Sequence, residues 1–395
     1  MNILFLHRGF PGQFKYIATV LANNPDNTVY FITNSQEGQI NGINKVYYKL
    51  AQQTLGNCHP YLNFYEEAVI HGRQTAKEAV KLKEQGFKPD IIYGFAGWGS
   101  TMFMKEVFPD VPLLCYFEWF GKSKDSVFDF GGKKLTLEEK EKIKCENTHV
   151  LMSLYSCDAG ICPTHWQKNQ FPEEFHNKIH VIHDGVDTAT CQPNNEAEFL
   201  GLTAGDEVIT YGTRGMEPYR GFPEFMKAAE ILLEKRPNAH IIIAGADETF
   251  YSPKAEKGTY KNNLLKELDL DMNRIHFTGI LSFHDYVKLL QISSVHVYST
   301  VPYVLSWSVL NAMAVGCCIV ASNTAPVLEV IRDNYNGLLF DFYNVEQLVE
   351  KVEYVLDNKE KMVEIRRNAR QSVIDNYALE KTLPQQFNLI NNLCH

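Results

Sequence analysis

The chain has 395 residues, 45% of them hydrophobic and 22% charged, an ordinary globular composition that excludes a fibrous or disordered main state. Single hydrophobic cores rarely grow to this size, so two α/β domains of roughly 180 residues each are the natural division. A net charge of −9 excludes a nucleic-acid-coating role, which needs a dominant basic surface to displace counterions.

The first residues, MNILFLHRGF, enter a strand pattern at once and lack the charged, apolar and cleavable parts of a signal peptide. Short runs rich in Ile, Val, Leu, Phe and Tyr then alternate with longer amphipathic stretches, the signature of βα units around parallel sheets. In the first half, strands are predicted near 2–6, 28–32, 90–94, 112–116, 159–162 and 179–183, with helices over 61–85 and 137–155. The Lys-rich stretch 121–144 reads as a loop leading into a solvated helix, or as an acceptor or membrane-surface contact. A polar stretch over 188–199 has the Pro, Asn and acidic composition of an interdomain linker. A second series follows, with strands predicted near 207–211, 239–244, 274–278, 294–298, 317–321 and 337–340, and helices alone over 344–393. The predicted domains are therefore 1–187 and 200–375, with a C-terminal helix over 376–395 packing back on the first.

Nine cysteines lack the paired short spacings of a disulfide framework or zinc site, and Cys157, Cys162 and His165 are not read as a metal site. No metal is expected, and a reducing cytosol is the expected compartment. The longest apolar runs are strand-length, well short of the roughly 20 residues that span a bilayer. Membrane contact is expected to be peripheral, at the inner face.

In open α/β sheets ligands bind beyond the carboxyl ends of the strands, so the loops after the apolar runs carry the candidates. After the first strand, Gly9 and Gly12 bracket a turn that opens a helix, where backbone N–H groups suit anionic or hydroxyl-rich groups; a plain tight turn reads equally well. In 211–222, Arg214 and Arg220 fall in one predicted loop, and two guanidinium groups beside a helix start make a phosphate clamp. Ser306 is a predicted N-cap of the helix through Asn311, leaving N–H groups for a second phosphate contact. Glu118 follows a strand and is flanked by Trp119 and Phe120, which could stack on a sugar ring. His7, His165 and His183 lie at strand ends and read as structural, and the acidic pair in 269–271 reads as surface charge.

The Arg214…Arg220-Gly221 spacing, IIIAGAD (241–247), IHFTGIL (275–281), LNAMAVGCCIVAS (310–322), PVLEVIRDNYNGLLF (326–340) and VIHDGVD (181–187) occur in the order of one family. The chain resembles the family-4 retaining glycosyltransferases, the group 1 glycosyltransferases of GT-B fold. The resemblance covers essentially the whole chain and is more specific in the second half. It implies two Rossmann-like domains with parallel sheets facing across a cleft. It also implies sugar transfer, without a required metal or cofactor, from a UDP- or GDP-linked sugar to a hydroxyl on a glycan, lipid-linked or protein acceptor. Homo- or hetero-oligomeric assembly is compatible with it, and no nucleic-acid partner is implied. By the resemblance, Arg214 and Arg220 hold the donor diphosphate with the backbone at Ser306, and Gly279, Ile280 and Leu281 line the base pocket. Gly9 and Gly12 face the donor sugar and phosphate, while Tyr303, Leu305 and Asn311 complete the donor site. Gly97, Trp98 and Gly99, with Glu118, form the acceptor side. The family's usual pair of glutamates, eight residues apart, is here Tyr303 and Asn311, and its usual clamp lysine is Arg220. Loss of both acids favours an alternative reading, a non-catalytic partner or chaperone subunit of another glycosyltransferase.

Overall fold

A computed structural model describes residues 1–50 and 58–394, so the last position of the expected C-terminal helix, 395, lies outside the described residues. The chain divides into two compact units, Met1–Gly185 with Leu379–His395, and Val186–Ala378.

The N-terminal unit is built on a sheet of seven strands: β1 (Asn2–Leu6), β2 (Thr28–Thr33), β3 (Ile43–Tyr47), β4 (Ile91–Phe95), β5 (Leu113–Tyr116), β6 (Ala159–Cys162) and β7 (Ile179–Val181). Their order is β3-β2-β1-β4-β5-β6-β7, and every neighbouring pair is parallel. Successive side chains leave a strand on opposite faces, so Leu4 and Leu6 join one core cluster while Ile3 and Phe5 join the other. With helices covering both faces, the central strands are apolar throughout, as a parallel sheet requires. The helix Leu379–Cys394 adds Leu389 and Ile390 to the Ile3 and Phe5 cluster, and the Tyr93 hydroxyl donates to Gln386 Oε1 at 3.4 Å.

The C-terminal unit begins with a small antiparallel hairpin, β8 (Glu198–Phe199) and β9 (Leu202–Thr203), turned at Leu200 and Gly201, both at positive φ. Six parallel strands follow: β10 (Glu207–Gly215), β11 (Ala239–Ala246), β12 (Ile275–Gly279), β13 (Val295–Tyr298), β14 (Ile319–Ser322) and β15 (Leu338–Phe340). Their order is β12-β11-β10-β13-β14-β15, which repeats the order of the first unit with β10 in the place of β1. In both sheets the connections reverse direction beside the first strand, at β1/β4 and at β10/β13. A crevice opens at such a point beyond the strand ends, and ligands bind there in folds of this kind.

Besides the hairpin β8–β9, which was not predicted and begins inside the linker expected over 188–199, three elements differ from the sequence expectation. Strand β3 was not anticipated, because it is an edge strand whose Asn44 and Lys45 leave no apolar run. The helix expected over 137–155 divides at Asn147, whose buried side chain exchanges two hydrogen bonds with the Gly121 backbone, at 2.9 and 2.8 Å. Strand β10 runs to Gly215 rather than ending near 211, because it keeps pairing with β11 through a register shift between Gly212 and Gly215. Arg214 is therefore a strand residue, not a loop residue.

Candidate functional site

At the β10 end, Arg214 is exposed and Arg220 is buried, the latter closing the short turn Pro218–Arg220. Gly221 follows at φ +65, and a Cβ there would stand 2.3 Å from Ser299 Oγ, so only glycine lets this turn lie against the residue after β13. Arg220 Nη1 donates to Thr300 Oγ1 at 2.9 Å and to the Val304 carbonyl at 3.0 Å. The guanidinium thus fastens the loop that carries Tyr303, Leu305 and Ser306. Arg214 Nη1 donates to the Tyr251 hydroxyl at 2.9 Å, and the guanidinium carbon Cζ lies 4.5 Å from the Phe250 ring centre. Tyr251 is common to both arginines, with its ring centre 5.8 Å from the Arg214 guanidinium and 5.7 Å from that of Arg220. Tyr303 completes the group, 5.6 Å from the Arg220 guanidinium and 5.3 Å from the Tyr251 ring.

Ser306 is the N-cap of the helix Trp307–Val315; its hydroxyl accepts from Ser308 N at 3.2 Å, and its own N–H donates to the Tyr298 hydroxyl at 2.9 Å. Burial pushes the Tyr298 phenol up, with Arg220 and the Ser306 N–H pulling the other way. Leu305 is buried beneath the loop. Asn311 lies farther along the same helix, and its Oδ1 accepts from Cys191 Sγ at 3.8 Å. Gly279 ends the edge strand β12, and Ile280 and Leu281 follow it; Gly279 has φ +68 with open space where a Cβ would stand, Ile280 is 79% exposed, and Leu281 packs against the cluster of Val208, Ile242 and Leu289. The structure therefore brings Arg214, Arg220, Tyr303 and Ser306 to one place and sets Gly279–Leu281 apart, at the edge of the same sheet.

The corresponding ends in the N-terminal unit carry different chemistry. The Gly9 N–H donates to His7 Nδ1 at 2.8 Å, and Gly12, at φ +56, has no room for a Cβ, which would stand 2.6 Å from His7 Cε1. Burial pushes the His7 imidazole down to about 4, against raising contributions from Gly9 and Gln13, so the ring is neutral at pH 7. Beyond β4, the Gly97 carbonyl accepts from His149 Nε2 at 3.0 Å, and Gly99, at φ +83, lies so close to the Ala68 carbonyl that a Cβ would meet it at 2.1 Å. Trp98 sits beneath the Arg8 guanidinium, 5.2 Å from it, and Arg8 also pairs with Glu67 at 2.8 Å. Glu118 Oε1 accepts from Gln13 Nε2 at 2.8 Å, which ties the β5 end to the β1 turn. His183 is buried and likewise pushed down to about 4, and His165 opens a short helix at the surface. Asp271 pairs with Arg274 at 2.7 Å.

Sequence reasoning passed over Glu217 and its partners. Glu217 lies between the two arginines in the segment already singled out, but its ligands at 250–252 are more than thirty residues away, so no local spacing marks them. Among the described residues no group of three or more His, Cys, Asp or Glu is placed to hold a metal ion, and no helix is long and apolar enough to cross a membrane.

Residues 25–191 match the glycosyl transferase family 4 group, and residues 194–372 match the glycosyl transferases group 1. An uncharacterized glycosyltransferase of Haemophilus influenzae is 26% identical over 237 residues, 59% of this chain and 61% of that protein. The N,N'-diacetylbacillosaminyl-diphospho-undecaprenol α-1,3-N-acetylgalactosaminyltransferase of Campylobacter jejuni is 27% identical over 156 residues, 40% of this chain and 37% of that protein. The chain thus spans less than two thirds of the length of these curated relatives. Among solved structures, Anabaena HepE in complex with UDP-glucose aligns with a TM-score of 0.73 at 17% identity over 99% of each chain. Sucrose-phosphate synthase of Thermosynechococcus elongatus aligns with a TM-score of 0.75 at 16% identity, over 100% of this chain and 99% of that one. Two doubly wound parallel sheets, both halves matched by glycosyltransferase models and the whole aligned with these structures, place the chain in the group 1 glycosyltransferases of GT-B fold.

Proposed function

We propose that this chain is a retaining glycosyltransferase that moves a sugar from a UDP- or GDP-linked donor to a hydroxyl acceptor. The observation that carries this reading is the convergence of Arg214 and Arg220 on one aromatic ring at the β10/β13 switch point. Two guanidinium groups held there meet the charge that grows on a departing diphosphate, the part a metal ion takes in other phosphate-leaving chemistry. The start of the helix Trp307–Val315 adds backbone N–H groups to the same leaving group. The acceptor oxygen bonds to the anomeric carbon on the face from which the diphosphate departs. The glycosidic electron pair leaves with the phosphate, and the acceptor proton passes to that phosphate oxygen. Trp98 and Glu118 serve acceptor recognition, the first by stacking and the second by hydrogen bonding. A transferase at the inner membrane face, taking a lipid-linked, glycan or protein acceptor, fits the naming of the Campylobacter jejuni relative as a diphospho-undecaprenol enzyme.

The test incubates the purified chain with UDP- and GDP-sugars and acceptor glycans and follows product by mass spectrometry, with the new anomeric configuration read by NMR. A product of retained configuration is expected. Nucleotide binding without transfer or donor hydrolysis would instead favour the non-catalytic partner, a reading that the non-acidic Tyr303 and Asn311 keep in play.

A further inference from the structure

Glu217 lies three residues from each arginine and is 0% exposed. Its Oε2 accepts the backbone N–H groups of Phe250 at 3.1 Å, Tyr251 at 2.8 Å and Ser252 at 2.9 Å, and the Ser252 hydroxyl at 3.1 Å. Its other oxygen, Oε1, is buried without a hydrogen-bond partner among the described residues. Burying a carboxylate is costly unless its bonds return that cost, so a carboxylate that spends one oxygen on three consecutive N–H groups is chiefly a device for holding those three residues. The strand below is shaped to the same end. A Cβ on Gly215 would stand 2.5 Å from the Glu248 carbonyl and 2.6 Å from the Phe250 ring, so β10 passes directly against the segment that Glu217 holds.

That segment carries the two aromatic rings of the cationic site. Phe250 and Tyr251 remain 38% and 37% exposed, so they are presented to solvent rather than packed in the core. Like charges repel, and two long arginine side chains left to themselves splay apart. Tyr251 counters this with its ring for both guanidinium groups and its hydroxyl for Arg214.

We propose that Glu217 is a positioning residue: through the backbone of 250–252 it fixes Tyr251 as the shared wall that orients Arg214 and Arg220 on the donor diphosphate. The inference rests on the diphosphate reading given above and deepens it, since it assigns the order of the site to a residue that touches no substrate. Preorganised donors bind more tightly because less side-chain freedom is lost when the ligand arrives.

The test measures, by calorimetry, binding of inorganic pyrophosphate, UDP, GDP and the matching nucleosides to the parent, Glu217→Ala, Glu217→Gln and Tyr251→Leu. Amide hydrogen exchange at 250–252 is followed in each. Glu217→Ala is expected to weaken pyrophosphate and nucleoside diphosphate binding roughly 10- to 100-fold, the scale of one or two lost charge-assisted bonds. It should leave nucleoside affinity unchanged and speed exchange at 250–252. Glu217→Gln keeps an acceptor oxygen in place and should restore most of both. Tyr251→Leu leaves Glu217 intact and should weaken diphosphate binding without faster exchange, so it decides the matter if Glu217→Ala fails to fold. Unchanged pyrophosphate binding in Glu217→Ala or Tyr251→Leu, or a parallel loss of nucleoside binding, overturns the proposal. A parent that binds neither pyrophosphate nor a nucleoside diphosphate overturns the diphosphate reading itself.

Discussion

The two units share one strand order and place candidate residues at equivalent switch points, yet the chemistry there differs. Beyond β10 and β13 stand two guanidinium groups with aromatic walls. Beyond β1, β4 and β5 stand a neutral imidazole, close-packed glycines, a Gln13–Glu118 bond, and Trp98 beneath a single guanidinium, Arg8, whose charge is paired with Glu67. The sheet supplies only the location, and a handful of strand-end residues decides the chemistry there. The C-terminal site is also self-bracing, since Arg220 ties down Thr300 and Val304 while standing in the site itself. The N-terminal ends are tied by the Gln13–Glu118 and Arg8–Glu67 pairs, around turns at Gly12 and Gly99 with no room for a Cβ.

Acid should expose the largest difference. His7, His71, His149 and His183 of the N-terminal unit are held low by burial, against His276 and His296 in the C-terminal unit. For each, the unfolded chain binds a proton below 6.5 that the folded chain refuses, so stability is intact above 6.5 and lost as pH falls. For His7, His183 and His296 the loss continues to about 4. These three each contribute about 1.4 kcal/mol per pH unit across that window. Hydrogen exchange between pH 6.5 and 4 should show the N-terminal unit losing protection first. Equal loss in both units would refute the contrast.

Gly99→Ala is expected to cost about 3 kcal/mol by denaturant unfolding, from positive φ and collision with the Ala68 carbonyl. A change under about 1 kcal/mol would show that the turn relaxes freely. Among the charges, Arg220→Ala should reduce nucleoside diphosphate affinity about 100-fold and also destabilise the fold, because the buried Thr300 hydroxyl loses its partner at Nη1. Arg214→Ala, at an exposed strand end, should cost only about tenfold with no change in unfolding. Calorimetry beside thermal unfolding separates the two, and equal effects would remove the distinction between them.

Much of this was legible in the sequence. The apolar runs of β1, β4 and β5, buried along their whole length, announce parallel strands, and the Arg214 and Arg220 spacing marks the cationic site. The edge strand β3 and the break at Asn147 were not legible, because a half-solvated edge has no apolar run and the Asn147 partner is 26 residues away. The unequal settings of the arginines, one exposed and one buried, depend on a register shift and on hydrogen bonds to Thr300 and Val304, some eighty residues distant. Tyr251 has no helical or strand periodicity that marks it. Its backbone bonds Glu217 and its ring meets Arg214, Arg220 and Tyr303, all more than thirty residues away in sequence.

The most direct measurement titrates UDP, GDP and the corresponding nucleosides into the parent chain and into the Arg214→Ala/Arg220→Ala double variant. We expect one diphosphate to bind the parent far more tightly than its nucleoside, and that advantage to vanish in the double variant. A diphosphate that binds both proteins equally, or binds no better than its nucleoside, would contradict the assignment of this site to the donor pyrophosphate.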